Sequence, residues 1–282
     1  PRPKSSAASD VYKRQVIHPP TLFLGFALCI LPFSYAISSL RLRDYRKWLN
    51  PTQKYLLLSV VVLGIGIMMG AYWAYETLNF GGYWNWDPVE NAVYVPWLFL
   101  VASFHCLILT NRKKQYYKMS YVLSLSSFLL ILYSTFLTRS GILGDSSVHS
   151  FTDLGLSGQL LICLFLFMLI SIYLLLTRWN DIPNTEKESS AYSGDFWLFI
   201  GILTLILMSF QVILPTSIPV YNAIIEFFGG FSNLAPPAEK EIFYSNAQIW
   251  FASSIAIFSA IAQILWWRKN TVSYTHLTLP TT

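Results

Sequence analysis

The sequence predicts an all-α fold, a polytopic transmembrane helical bundle of about seven spans whose functional loops face the extracytoplasmic side. Three observations carry this. Hydrophobic residues make up 54% of the chain and charged residues 12%, where a soluble domain carries about 25% charged. Seven apolar segments reach the roughly 20 residues needed to cross a hydrocarbon layer of about 30 Å. Lysine and arginine, finally, gather in alternate connections between these segments.

The first segment, 21–40, contains no charged residue and stops at Arg41. The second, 55–76, follows Lys54, and the third, 92–110, ends two residues before Arg112. The fourth, 119–138, is bracketed by Lys118 and Arg139; the fifth, 157–177, ends at Arg178. The sixth, 196–214, stops before Pro215, and the seventh, 245–267, before Arg268. Backbone in hydrocarbon must satisfy its own hydrogen bonds, so each segment is expected to be helical. The period-2 alternation of a β-barrel strand is not present in the sequence.

Residues 1–15 and 272–282 are polar, lack periodicity and differ abruptly from the body. They read as non-native tails resembling translated sequencing adaptor and are set aside. The membrane domain is then 16–271, with a tryptophan-rich loop at 71–97, and is expected to be a fragment of a longer protein.

The composition argues against a cytosolic enzyme. Cys29, Cys106 and Cys163 sit within apolar runs, with no CxxC or CxxCH, which argues against a disulfide framework, a zinc ribbon or a covalent c-type haem site in this chain. The net charge of +5 does not indicate nucleic acid, because the basic residues form short clusters between apolar stretches. The connections at 41–54, 111–118 and 178–194, with the end of the last span, hold thirteen Lys and Arg; the opposite connections hold only Arg139 and Lys240. Cationic loops stay in the cytoplasm, so the second set faces outward. The chain is accordingly expected in the cytoplasmic (inner) membrane, with its site facing the periplasm or exterior.

The outward connection between the second and third spans lies in GAYWAYETLNFGGYWNWDPVENAVYVPWL. Seven of the fifteen residues from Tyr72 to Trp86 are aromatic, among them Trp73, Tyr83, Trp84 and Trp86. An aromatic belt at the membrane boundary is one reading. The other is a surface offering flat faces to a large planar ligand, with indole N–H groups at its edge. Asp87 before Pro88, with Glu90 three residues on, has capping-box spacing and would start the third span; the same cap would fix the rim of such a surface.

His18 precedes two prolines expected to hold it outside a helix interior, and His149 lies in the outward connection 139–156. Each alone reads as a polar loop residue. Together, flanking an aromatic loop, they suit two axial ligands of a haem iron, a neutral imidazole on each face. Arg139 is either a residue snorkelling at the end of the fourth span or a partner for a haem propionate. His105 lies inside the third span, either as a satisfied core histidine or as one ligand of a second, membrane-embedded haem whose other ligand is missing from 16–271.

With HPPTLFLGF, the WNWDPVEN region followed by PWL and His105, and STFLTRSGILGDSSVHSF in that order, the chain resembles the haem-handling proteins of cytochrome c maturation, and among them the CcmF-type haem lyases rather than the CcmC or CcsA branches. The resemblance covers nearly all of 16–271. It implies haem b as substrate at an external site with His18 and His149 as ligands, and thioether attachment of that haem to CxxCH motifs of apocytochrome c. It further implies His105 as one ligand of a transmembrane haem reduced by quinol, and other maturation proteins as partners. The first aromatic position of the family's motif falls on Gly82 or Tyr83, a departure that leaves stacking possible. A membrane b-type cytochrome for electron transfer and a haem transporter or export subunit are the alternatives.

Overall fold

The computed structural model describes residues 6–76, 82–144, 147, 155–183 and 190–277; side chains at 6–15 and 267–277 are outside the description. Among the described residues all regular structure is helical: α1 (Ser6–Leu28), α2 (Ile30–Leu42), α3 (Leu49–Glu76), α4 (Pro88–Lys113), α5 (Tyr117–Arg139), α6 (Ser157–Arg178), α7 (Gly194–Thr216), α8 (Ile218–Phe227) and α9 (Lys240–Leu277). Seven stretches are long and apolar enough to cross a membrane, as the sequence predicts; the first combines α1 and α2 over Val16–Leu42.

The first span is broken at Cys29 because Pro32 lacks the N–H that would bond the Leu28 carbonyl and its ring crowds that carbonyl. One expectation is overturned here. Pro19 and Pro20 do not keep His18 outside a helix; α1 runs through both. Proline's fixed φ is itself helical, so each ring costs a backbone hydrogen bond rather than the helix, a loss that a packed membrane helix tolerates.

α1 lies along α3 on a glycine seam. A Cβ added at Gly25 would sit 2.7 Å from the Leu63 Cα, and one at Gly66 2.9 Å from the Leu22 Cα. Small residues let membrane helices approach this closely, and Gly66 and Gly70 form the G-x-x-x-G spacing that marks such seams.

α4 is the hub, packed against α3, α5 and α7. Small polar residues line its contact with α5: Ser103 with Ser124 at 2.9 Å and Thr110 with Ser120 at 2.8 Å. At one end of the bundle the basic connections converge on acids, Arg43 with Asp181 at 3.9 Å and Lys113 with Asp195 at 2.8 Å. α8 is an element the sequence reading did not foresee, since its ten residues are too few to cross a membrane.

Candidate functional site

At the end opposite those ion pairs, α4 begins with the cap the sequence predicts. The Asp87 Oδ1 accepts from the Val89 N–H at 2.9 Å, and the Glu90 Oε2 accepts from the Asp87 N–H at 3.1 Å and the Asn85 N–H at 3.0 Å. Pro88 occupies the first turn, where a missing N–H costs nothing. The Ser147 hydroxyl donates to the same Asp87 oxygen at 2.6 Å, which fastens the connection after α5 to the start of α4. Asp87→Ala is therefore expected to cost about 1–2 kcal/mol, seen as a lowered thermal midpoint in detergent, with Ser147→Ala milder. An unchanged midpoint for Asp87→Ala would contradict this role.

Ahead of the cap, Trp86 is held at φ 52°, a left-handed conformation that a bulky residue adopts only when its surroundings impose it. They do. Its indole N–H donates to the Ser245 hydroxyl at 2.9 Å, its ring stacks on Tyr244 at 5.3 Å, and its carbonyl accepts from the Asn91 side chain at 3.2 Å. Asn91 is buried and also donates to the Thr216 hydroxyl at 3.1 Å, so the starts of α4 and α9 and the end of α7 are locked together around Trp86.

The aromatic segment 71–97 is divided between elements: Tyr72, Trp73 and Tyr75 belong to the last turns of α3, and Tyr94 and Trp97 to α4. Trp84 meets Tyr94 at 5.7 Å and Trp86 at 5.9 Å, both edge to face, and Tyr94 stacks on Trp97 at 6.2 Å. With Tyr83 and the α3 residues Gly64, Ile67, Met68 and Ala71, these rings line a half-open cavity of about 360 Å³. Ligand pockets run from about 300 to 1,000 Å³, so the size suits a bound organic molecule. The Trp84 indole nitrogen is buried with no hydrogen-bond partner among the described residues, a donor that a polar edge of such a molecule would satisfy.

A second cavity of about 110 Å³ adjoins the first, sharing Ile67, Ala71 and Trp84, and is lined by His18, Trp73 and Glu90. The His18 Nδ1 lies 2.8 Å from the Gly66 carbonyl oxygen. A carbonyl only accepts, so Nδ1 carries the proton and the Nε2 lone pair is left for a metal, the orientation that metal-ligating histidines adopt. Gly70 leaves room for the ring: a Cβ there would stand 2.6 Å from the His18 Cε1.

The structure thus groups His18, Trp73, Tyr83, Trp84, Trp86 and Glu90 around two adjoining cavities, with Asp87 beneath them as the cap. His149 lies outside the described residues; Ser147, tied to Asp87, precedes it by two. Arg139, at the end of α5, reaches toward α1 with its guanidinium 5.8 Å from the Phe23 ring. His105 is elsewhere, lining a cavity of about 150 Å³ between α4, α7 and α9 with its Nδ1 2.8 Å from the Val101 carbonyl oxygen. Gly66, Gly70, Tyr94 and Trp97 were missed as site residues. The G-x-x-x-G spacing and the three-residue step from Tyr94 to Trp97 on one helix face were the available signals.

The family model described as cytochrome C assembly protein matches residues 3–143. The chain belongs to the cytochrome c assembly protein family. Among its relatives, the cytochrome c-type biogenesis protein CcmF of Pseudomonas fluorescens is 28% identical over 264 residues, covering 92% of this chain and 38% of the relative. CcmF of Escherichia coli K12 is 28% identical over 259 residues, covering 90% and 38%. A solved structure of cytochrome c heme lyase CcmF superimposes with a TM-score of 0.63 at 25% identity, covering 86% of this chain and 34% of that one. The chain thus spans well under half the length of these relatives. Its apolar helices and these relatives make it a multi-pass membrane protein, a member of the cytochrome c assembly family with a CcmF-type fold.

Proposed function

We propose that this chain is the haem-holding membrane domain of a cytochrome c haem lyase: it binds haem as substrate at the extracytoplasmic end and takes part in its attachment to CxxCH motifs of apocytochrome c. One observation carries the reading above all, the His18 imidazole held by the Gly66 carbonyl with its Nε2 lone pair free, at a cavity that shares Ile67, Ala71 and Trp84 with the one lined by Tyr83, Trp86, Tyr94 and Trp97. The names and roles of the relatives support it.

Attachment adds each thiol S–H across a haem vinyl group. A carbon–sulfur bond forms, the hydrogen goes to the other vinyl carbon, and no oxidant is needed. The thiols come from the apocytochrome, so this chain needs no nucleophile of its own. Its contribution is positioning: rings stack on the macrocycle, His18 and His149 hold the iron, and the vinyl edge is left accessible. Arg139 and the Trp84 N–H suit the propionates. The incoming protein's own histidine would replace one axial ligand. The gathering of the cationic connections at the other end of the bundle supports a periplasmic side for this site.

For a second, transmembrane haem fed by quinol, the described residues supply one imidazole, His105, and a cavity of about 150 Å³, smaller than ligand pockets generally are. They do not hold that group unaided, and its other ligand would come from elsewhere in the longer protein. The same shortage weighs against an electron-transfer cytochrome built from this chain. Other maturation proteins are proposed partners at the same end of the bundle.

Protein purified after expression with haem is expected to show a bis-histidine absorption spectrum that weakens in His18→Ala and in His149→Ala. An unchanged spectrum in both variants would remove the external site, and loss only in His105→Ala would favour the cytochrome reading.

A further inference from the structure

Far from the aromatic chamber, α2 and α6 enclose a groove of about 500 Å³ lined by Phe33, Ser34, Ile37, Ser38, Arg41, Leu42, Phe167 and Ile170. Its floor is aromatic: Phe33 meets Phe167 at 5.6 Å and Phe128 at 4.7 Å. The wall on α2 is not. Ser34, Ser38 and Arg41 follow one another at steps of four and three residues, the spacing of a single helix face, and all three are exposed.

These three polar groups have no hydrogen-bond or ion-pair partner among the described residues, unlike many of their counterparts in the bundle. Several membrane serines turn their hydroxyls back on the helix, as Ser59 does to the Tyr55 carbonyl, Ser127 to Leu123, Ser171 to Phe167 and Ser209 to Leu205, and others bond across to a neighbouring helix, as Ser103 does to Ser124. Ser34 and Ser38 make no such bond among the described residues. Arg41 likewise has no carboxylate, although its neighbour Arg43 reaches Asp181 and Lys47 reaches Asp44. An apolar trough with two uncommitted hydroxyls along it and an uncommitted guanidinium at its mouth has the chemistry of a diacylglycerol phosphate: a hydrocarbon tail, then esters, then a phosphate.

We propose that this groove binds an anionic glycerophospholipid. One acyl chain lies over Phe33, Ile37 and Phe167, the ester oxygens accept from Ser34 and Ser38, and the phosphate pairs with Arg41. Basic pockets between membrane helices at the cationic face bind anionic head groups in this way. The charge argument selects an anionic lipid over a zwitterionic one: Asp181 offsets Arg43 and Asp44 offsets Lys47, which leaves Arg41 and Arg46 as the net positive charge of this stretch. The site is independent of the haem proposal and lies at the opposite end of the helices.

The test uses the full-length protein to which this chain belongs, purified in mild detergent and titrated by native mass spectrometry with phosphatidylglycerol and, separately, phosphatidylcholine of the same chain length. Phosphatidylglycerol is expected to be retained preferentially, and Arg41→Ala to weaken that retention about tenfold, the worth of a hydrogen bond to a charged group. Ser34→Ala with Ser38→Ala should weaken both lipids while leaving the preference intact. Equal retention of the two lipids by the unaltered protein overturns the proposal, as does phosphatidylglycerol retention indifferent to Arg41→Ala. Photo-crosslinking from a benzophenone at position 38 separates the remaining occupant. Adducts to lipid support the proposal, and adducts to another helix of the same protein, filling the groove instead, overturn it.

Discussion

Gly70→Ala is expected to displace the His18 ring from the position proposed for iron ligation while leaving the bundle folded. The new Cβ would stand 2.6 Å from the His18 Cε1 and 3.0 Å from Nε2, where non-bonded carbon atoms prefer about 3.5–4.0 Å. The ring must therefore shift by roughly 1 Å, and a displacement of that size costs about 100-fold in rate at a positioned centre. The ring is the mobile end of a side chain, so the clash is relieved by moving the ligand rather than the helix. Gly25→Ala makes the contrasting case, because its Cβ would meet the Leu63 backbone at 2.7 Å. There the helices themselves must separate, at about 1–3 kcal/mol. Gly70→Ala should thus keep its thermal midpoint and lose bis-histidine absorbance and thioether formation, and Gly25→Ala should lower the midpoint. Full absorbance in a folded Gly70→Ala variant would show that the ring position does not matter.

Asp195→Ala is expected to be the most destabilising change at the other end of the bundle. The carboxylate side chain is 6% exposed and stands between two cations, the Lys113 Nζ at 2.8 Å and the Arg112 guanidinium at 3.6 Å. Arg112 also lies 3.8 Å above the Trp266 ring, so one carboxylate organises the meeting of α4, α7 and α9. As the first-turn acid of α7 it also faces the positive end of that helix. Removing one partner of a fully buried pair costs about 3–5 kcal/mol. The cations here are 39% and 36% exposed, so solvent screening brings the expected loss to about 2 kcal/mol. A double-mutant cycle with Lys113→Ala measures it. Strong coupling, with the double variant less impaired than the sum of the singles, is the expected result; additive effects would mean that the pair is ornamental.

The candidate site was legible in part. The Asp87–Pro88–Glu90 cap could be read directly, because a capping box is a local device that needs only three-residue spacing and its own backbone. The position of His18 was misjudged, because proline was weighed by its intrinsic effect, whereas α3 packed alongside lets α1 run through Pro19 and Pro20. Tyr94 and Trp97 were passed over because rings on the buried face of a span read as core. Whether they line a void depends on how far α3 stands from α4.

What the sequence determined by itself is what depends on composition and local order: an all-helical membrane chain, its seven crossings and the cap of α4. Only the tertiary structure decided which of these residues face one another. It joined His18 to Gly66 across 48 positions of sequence and brought Trp86 against Ser245 across 159, and it moved His105 into a separate cavity. The physical reason is that hydropathy records how much of a helix shuns water but barely distinguishes lipid from protein as its neighbour. In a bundle whose faces are apolar all round, the glycine seams and a few hydrogen bonds choose the partners, and those are known only once the helices are side by side.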